Sequence, residues 1–220
     1  MKPPDDPHAF IRAATLFAAP ALVPEIGLYL ASEITPIWQA TETFLTETGI
    51  APPYWAFAWP GSIALARHML DHPELVRGKR VVDFASGSGL AAIAAALAGA
   101  VHVTAIDIDP LAGAAIGLNA AENHMAVEVA IGDAVGTALT ADVILCGDIC
   151  YEAPMTRHIW PWLQGCAAHA EVWIADPGRA YVPREGLIEF ARYAVPTTAE
   201  LESRTSRDAV LYRVTRLPFN

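Results

Sequence analysis

From Gly78 onward, short apolar runs alternate with longer stretches of helical spacing. "KRVVDF", "VHVTAID", "VEVAIG", "ADVILCGD" and "EVWIADP" have the length and β-branched content of strands. "ADVILC" is a continuous apolar run, as expected of a strand buried on both faces. "GLAAIAAALAG", "PLAGAAIGLNAAENH" and "MTRHIWPWLQGCAAH" follow as helices. This rhythm predicts an α/β fold: a Rossmann-like, open, mostly parallel sheet with helices between its strands. Near the C-terminus "DAVLYRVTRLP" alternates, and two strands there are expected to pair as an antiparallel edge.

The first fifty or so residues lack that rhythm. "PHAFIRAATLF" reads as a helix, "EIGLYLA" as a short strand, and "TPIWQATETFLTETG" as a helix ending at Gly49. "APPYWAFAWPGSIALARHMLDHP" reads as an aromatic loop, then a helix starting near Pro60 and stopping before Pro73. Residues 1–59 are therefore expected to form an N-terminal helical cap with the aromatic loop, and residues 60–220 the sheet domain, all within one globular unit.

The 220 residues are 54% hydrophobic and 17% charged, which supplies a core and argues against a disordered chain. A net charge of -10 argues against a broad grip on nucleic acid or on anionic membranes. Cys146, Cys150 and Cys166 lie in apolar surroundings without a CxxC pair, as in a reducing compartment. Asp5 and Asp6 stand where a signal peptide needs positive charge, and the start is too acidic for a mitochondrial presequence. The apolar stretch Gly89 to Ile106 is interrupted by His102 and reads as a helix and a strand of an α/β core. The expected setting is soluble and cytoplasmic.

In "RVVDFASGSGLAA" the pattern Gly87-x-Gly89-x-x-Ala92 fits the dinucleotide fingerprint, with Ala85 and Ser86 in the same loop. Asp107, with Ile108 beside it, follows about twenty residues later, placed for ribose hydroxyls. These features suit NAD and S-adenosylmethionine (AdoMet) equally. Asp83 decides for AdoMet: a carboxylate at the mouth opposes a pyrophosphate and favours an ammonium and a sulfonium. Its simpler role would be to order its own turn. Asp133 either reaches the adenine amino group or shapes the turn in "GDAVG".

"CGDICYE" ends the fourth strand and carries Asp148 and Tyr151. A lysine amine, with a pKa near about 10.4, arrives protonated and must lose a proton to become a nucleophile. Asp148 would orient it, and Tyr151 would cover the methylated cation; capping and ordinary packing are the alternatives. Tyr54, Trp55, Phe57 and Trp59 crowd one Pro-bounded loop, which stacks on adenine, walls the acceptor channel or simply packs a corner. Gly61 would allow close cofactor approach. Asp176 and Arg179 in "ADPGRAYVP" are further substrate candidates, though Asp-Pro-Gly also favours a turn. No HExxH or His/Cys cluster has ligand spacing, so no metal is expected.

With "YWAFAWPG", "VVDFASGSG", "DIDP", "GDICYE" and "ADPGRAY" in this order, the chain resembles the seven-β-strand AdoMet-dependent methyltransferases. Among these it looks closest to the protein-lysine methyltransferases of the electron transfer flavoprotein β subunit, particularly bacterial relatives. The likeness runs from about Phe10 nearly to the C-terminus, and the family's Asp-x-x-Tyr motif matches Asp148 and Tyr151. It implies a seven-stranded sheet, AdoMet as methyl donor, S-adenosyl-L-homocysteine as product, and lysine ε-amines of the flavoprotein subunit as acceptors. The common pattern Asp-x-Gly-x-Gly-x-Gly has Ala85 at its first glycine. Alanine is expected to hold that turn only at negative φ, displacing the loop. The rival readings are a methyltransferase for a small amine or pyridine nitrogen, a non-catalytic AdoMet-binding module, and an NAD(P)-dependent dehydrogenase.

Overall fold

The structure, a computed structural model, describes residues 5–32, 35, 37, 52–197 and 205–215. Its centre is a seven-stranded sheet of β3 (Arg80–Phe84), β4 (His102–Asp107), β5 (Glu128–Ile131), β6 (Val143–Gly147), β7 (Glu171–Asp176), β8 (Leu187–Pro196) and β9 (Ser206–Val214). The spatial order is β5-β4-β3-β6-β7-β9-β8. The first five of these are parallel; β9 runs antiparallel to β7, and β8 antiparallel to β9. Helices α2 (Pro60–Asp71), α3 (Leu90–Leu97), α4 (Pro110–Glu122) and α5 (Ala153–Cys166) accompany the sheet. The expected architecture is present, down to the antiparallel C-terminal edge.

Local chemistry sets the helix starts. Proline stands first in α2 and α4, where its missing N–H costs nothing. Asp109 caps α4 through Oδ1, which accepts from the Leu111 N–H at 2.8 Å. The alanine-rich α3 is buried along most of its length, and its small side chains let α2 pack closely beside it. The apolar stretch from Gly89 to Ile106 thus divides into α3 and β4, and among the described residues no helix is long and apolar enough to cross a membrane.

The N-terminal segment departs from its expected form. Helix α1 (Pro7–Ala14) stops before Thr15, whose hydroxyl donates to the Ile11 carbonyl at 2.6 Å. Leu16 and Phe17, expected in the helix, instead belong with Ala18 to β1 (Leu16–Ala18), paired antiparallel with β2 (Leu28–Leu30). Helical periodicity continued through Leu16 and Phe17, but it cannot register a strand partner ten or more residues away. Among the described residues the cap therefore contains a helix and a hairpin. The expected helix over "TPIWQATETFLTETG" lies outside the described residues, apart from positions 35 and 37.

The hairpin is fastened to the sheet domain. Val23, Ile26 and Leu28 join the main core with α2, α3 and the sheet. Asn119 of α4, fully buried, accepts from the Tyr29 N–H at 2.9 Å and donates to the Ser88 carbonyl at 2.8 Å. One side chain thereby ties the N-terminal strand to the loop after β3.

Candidate active site

Between β3 and β6 the order of connection reverses, so the crossovers on either side diverge and leave a crevice at the strands' carboxyl ends. A cavity of about 570 Å³ occupies it, within the range of small-molecule sites. Its walls come from loops after four strands: Ala85 and Gly87 after β3, Asp107 and Ile108 at β4, Asp133 after β5, and Asp148 after β6.

The loop after β3 is built on left-handed backbone, with φ of +55° at Ala85, +56° at Gly87 and +83° at Gly89. Ala85 therefore does hold the turn, but at positive φ, contrary to expectation. The loop keeps the glycine-type conformation because the Ser86 N–H bonds to the Ile106 carbonyl at 3.1 Å and fixes the turn from behind. At Gly87 a Cβ would meet nothing nearer than the Tyr54 carbonyl at 3.8 Å, so the backbone is open to a ligand. The Gly87 N–H donates to Asp107 Oδ2 at 2.9 Å, and the Asp109 N–H to Oδ1 at 3.0 Å. Each oxygen keeps a lone pair for a ribose hydroxyl. Burial raises the Asp107 carboxyl above the usual range, partly offset by these N–H donors. Asp133 is held low by the Val135 N–H and by His158, whose Nε2 lies 3.0 Å from Oδ2.

Three expected cofactor residues have other duties. Asp83 is 2% exposed and lies beneath the loop, where Oδ2 accepts from the Ser86 hydroxyl and from the Ala92 N–H at 3.1 Å. Burial pushes its carboxyl up to about 7, and it does not line the cavity. Asp83 orders its own turn, so the charge at the mouth that favours a cationic ligand comes from Asp107, Asp109 and Asp133, while Asp148 is paired with Arg179. Ser86 is buried as its partner, and Gly89 gives α3 room against Ile116, which a Cβ would meet at 3.2 Å.

Asp148, the expected acceptor-orienting residue, follows β6 at φ +57° and is 7% exposed. Its Oδ1 accepts from Arg179 Nη2 at 2.8 Å and Nε at 3.2 Å, and its Oδ2 from the Gly61 N–H at the start of α2. Gly61 thus serves Asp148, not the cofactor: a Cβ there would stand 2.4 Å from the Ala175 carbonyl and 2.6 Å from Asp148 Oδ2. Burial pushes the Asp148 carboxyl up to about 7, against the pull of Arg179. Tyr151 and Tyr54 meet with ring centroids 5.4 Å apart, and Trp59 joins Tyr54 at 6.0 Å. Burial drives the Tyr151 phenol up to about 12, so it works as a neutral ring. Trp55, 1% exposed, belongs mainly to the small core under α1 and α4 while contributing to the lining. Asp176 accepts from the N–H groups of Gly178 and Arg179, which is the turn role.

The sequence reading missed His158 and the Gly61–Asp148–Arg179 assembly. Neither pairing lies within a local motif; Asp148 is 87 residues from Gly61 and 31 from Arg179.

The ribosomal protein L11 methyltransferase (PrmA) family model matches residues 64–151. The chain is similar to magnesium protoporphyrin IX methyltransferase from Synechocystis PCC 6803, solved with bound SAM. The TM-score is 0.54 at 18% identity, covering 84% of this chain and 100% of that one, which supports the fold. It is 35% identical to the electron transfer flavoprotein beta subunit lysine methyltransferase of Danio rerio over 95% of this chain and 83% of the relative. The chain belongs to that lysine methyltransferase family. The same enzyme of Xenopus laevis is 35% identical over 94% of this chain and 86% of the relative.

As a member of the family, the protein is an AdoMet-dependent methyltransferase. The site fits that cofactor. Open backbone at Gly87, spare acceptor positions on Asp107 and a carboxylate at Asp133 suit an adenosine, and the acidic mouth suits a cationic methyl donor. Gly87, Asp107, Ile108 and Asp133 would hold it, with Trp59 and Tyr54 walling the side toward Asp148.

Proposed function

We propose that this methyltransferase modifies lysine ε-amines of the electron transfer flavoprotein β subunit. Two things support the reading: relatives bearing that name match over nearly the whole chain, and a buried carboxylate stands beside an aromatic wall at the cavity. Asp148 carries it. When bound, AdoMet supplies an electrophilic methyl group on a sulfonium. Asp148 draws the acceptor ammonium to the cavity by a charge-assisted hydrogen bond and fixes its direction. Because burial brings its carboxyl near neutrality, it can also take the ammonium's proton and release the lone pair for attack. Tyr151, Tyr54 and Trp59 exclude water and face the growing cation with their rings. A cytoplasmic, reducing setting, expected from the three apolar-flanked thiols, belongs to the same proposal.

Purified flavoprotein β subunit is incubated with the enzyme and methyl-labelled AdoMet, and the product is read by mass spectrometry. Label on lysine is expected. Asp148→Asn should lower the rate by at least about 100-fold while leaving S-adenosyl-L-homocysteine binding close to wild type by calorimetry. Wild-type activity in Asp148→Asn would remove the assignment. Label found only in the metabolite fraction of a lysate would replace the lysine acceptor with a small molecule.

A further inference from the structure

Asp148 is enclosed by an unusual set of neighbours. Two Arg179 donors converge on Oδ1, and the Gly61 N–H points at Oδ2 from the first turn of α2. The arginine is itself aimed: Asp176 Oδ1 accepts from the N–H groups of Gly178 and Arg179 at 2.8 and 2.6 Å and so fixes the turn after β7. The guanidinium carbon lies 5.7 Å from the Trp59 ring centroid, which braces it from the aromatic wall. A two-pronged contact with a carboxylate, on a side chain anchored at both ends, is orientation as well as charge.

We infer that Arg179 is a positioning residue for methyl transfer, holding Asp148 as a fixed carboxylate so that the acceptor ammonium meets a negative charge. The inference rests on the role given to Asp148 above. A carboxyl this deeply buried pays heavily for ionisation unless a partner compensates. The other neighbours supply little of that compensation. Asp176 opposes the charge, Cys150 stays a thiol with its pKa raised to about 12, and Tyr151 stays a neutral phenol. The first turn of α2, Pro60 to Ile63, offers an N–H and no ionisable side chain. Arg179 is the cation that faces Asp148 among the groups acting on it. Without it the carboxyl would remain protonated at neutral pH and lose its hold on the ammonium.

The test is the pH profile of kcat/KM for methylation of the β subunit by wild type, Arg179→Gln and Arg179→Lys. S-adenosyl-L-homocysteine titration serves as the check on folding. Arg179→Gln is expected to be at least about tenfold slower at pH 7 and to recover as the pH rises toward 9, because its acid limb moves up by about a unit or more. Arg179→Lys should keep its limb near that of wild type, since it restores the charge. An unmoved limb in Arg179→Gln overturns the inference. Loss of S-adenosyl-L-homocysteine binding in both variants also overturns it, since Arg179 would then be holding the fold. If Asp148→Asn is inactive while the Arg179→Gln limb stays in place, only the role of Arg179 falls. An active Asp148→Asn removes the function reading itself.

Discussion

Ala85 carries a methyl group at φ +55°, in the left-handed region where L-residues with a Cβ are strained. The residue stays there because the two residues that follow it are fixed to β4, by the Ser86 N–H to Ile106 and by the Gly87 N–H to Asp107. Ala85→Gly should relieve roughly 0.5–1 kcal/mol, net of the extra freedom gained by the unfolded chain. For a chain of this size that is about 2 °C in melting temperature. Calorimetry that showed a lower melting temperature would mean the methyl contributes packing that outweighs its strain. Residue roles were only partly legible. Asp107 and Asp148 were found because one ends an obvious strand at the expected distance from the glycine loop and the other directly follows a strand and opens the Asp-x-x-Tyr pattern. Asp83 looked the same on paper, yet its side chain turns under the loop. Asp83 is the penultimate residue of β3 and Asp107 the last of β4, and a one-residue difference at a strand's end turns a side chain from the mouth to the turn beneath it.

At the scale of elements, the surroundings of Asp148 depend on how closely α2 approaches β6 and β7. A Cβ on Gly61 would sit 2.4 Å from the Ala175 carbonyl, and one on Gly147 would sit 2.4 Å from the Ser62 hydroxyl. Two glycines, one on the helix and one on the strand, let the helix N-terminus reach the Asp148 carboxylate. Gly61→Ala should push the helix away, costing about 1–3 kcal/mol and slowing methylation by removing the N–H from Asp148. A melting temperature and turnover equal to wild type would show that α2 shifts freely. The helix itself was readable from Pro60 and the pre-Pro73 stop; its contact with β6 was not, since 87 residues separate Gly61 from Asp148. The β1–β2 hairpin was hidden for the same reason, as its register is set by pairing and not by periodicity.

Across the whole molecule, α2 also meets the antiparallel edge on its other side, and His68 sits at that junction. Its Nδ1 lies 2.9 Å from the Tyr193 hydroxyl of β8, and its ring lies against Trp173 and Phe190. Its Nε2 is buried with no hydrogen-bond partner among the described residues. Burial, then repulsion from His72, pushes His68 from 6.5 down to about 4. As the pH falls through that window, the unfolded chain takes up a proton that the folded protein refuses. The stability contributed by neutral His68 is thus present above pH 6.5 and lost toward pH 4. Urea unfolding at a series of pH values should show His68→Gln gaining on wild type as the solution is acidified. Parallel profiles for the two proteins would place the acid sensitivity elsewhere.

The sequence by itself determined the parallel sheet, its helices, the antiparallel edge and the family. These follow from local periodicity, strand-ending glycines and short motifs, which are properties of neighbouring residues. Tertiary structure alone decided which carboxylates face the cavity, why Ala85 tolerates its backbone, and that Gly61 and Arg179 converge on Asp148. Those outcomes depend on burial and on contacts between distant segments, where a few tenths of an ångström separate a hydrogen bond from a clash.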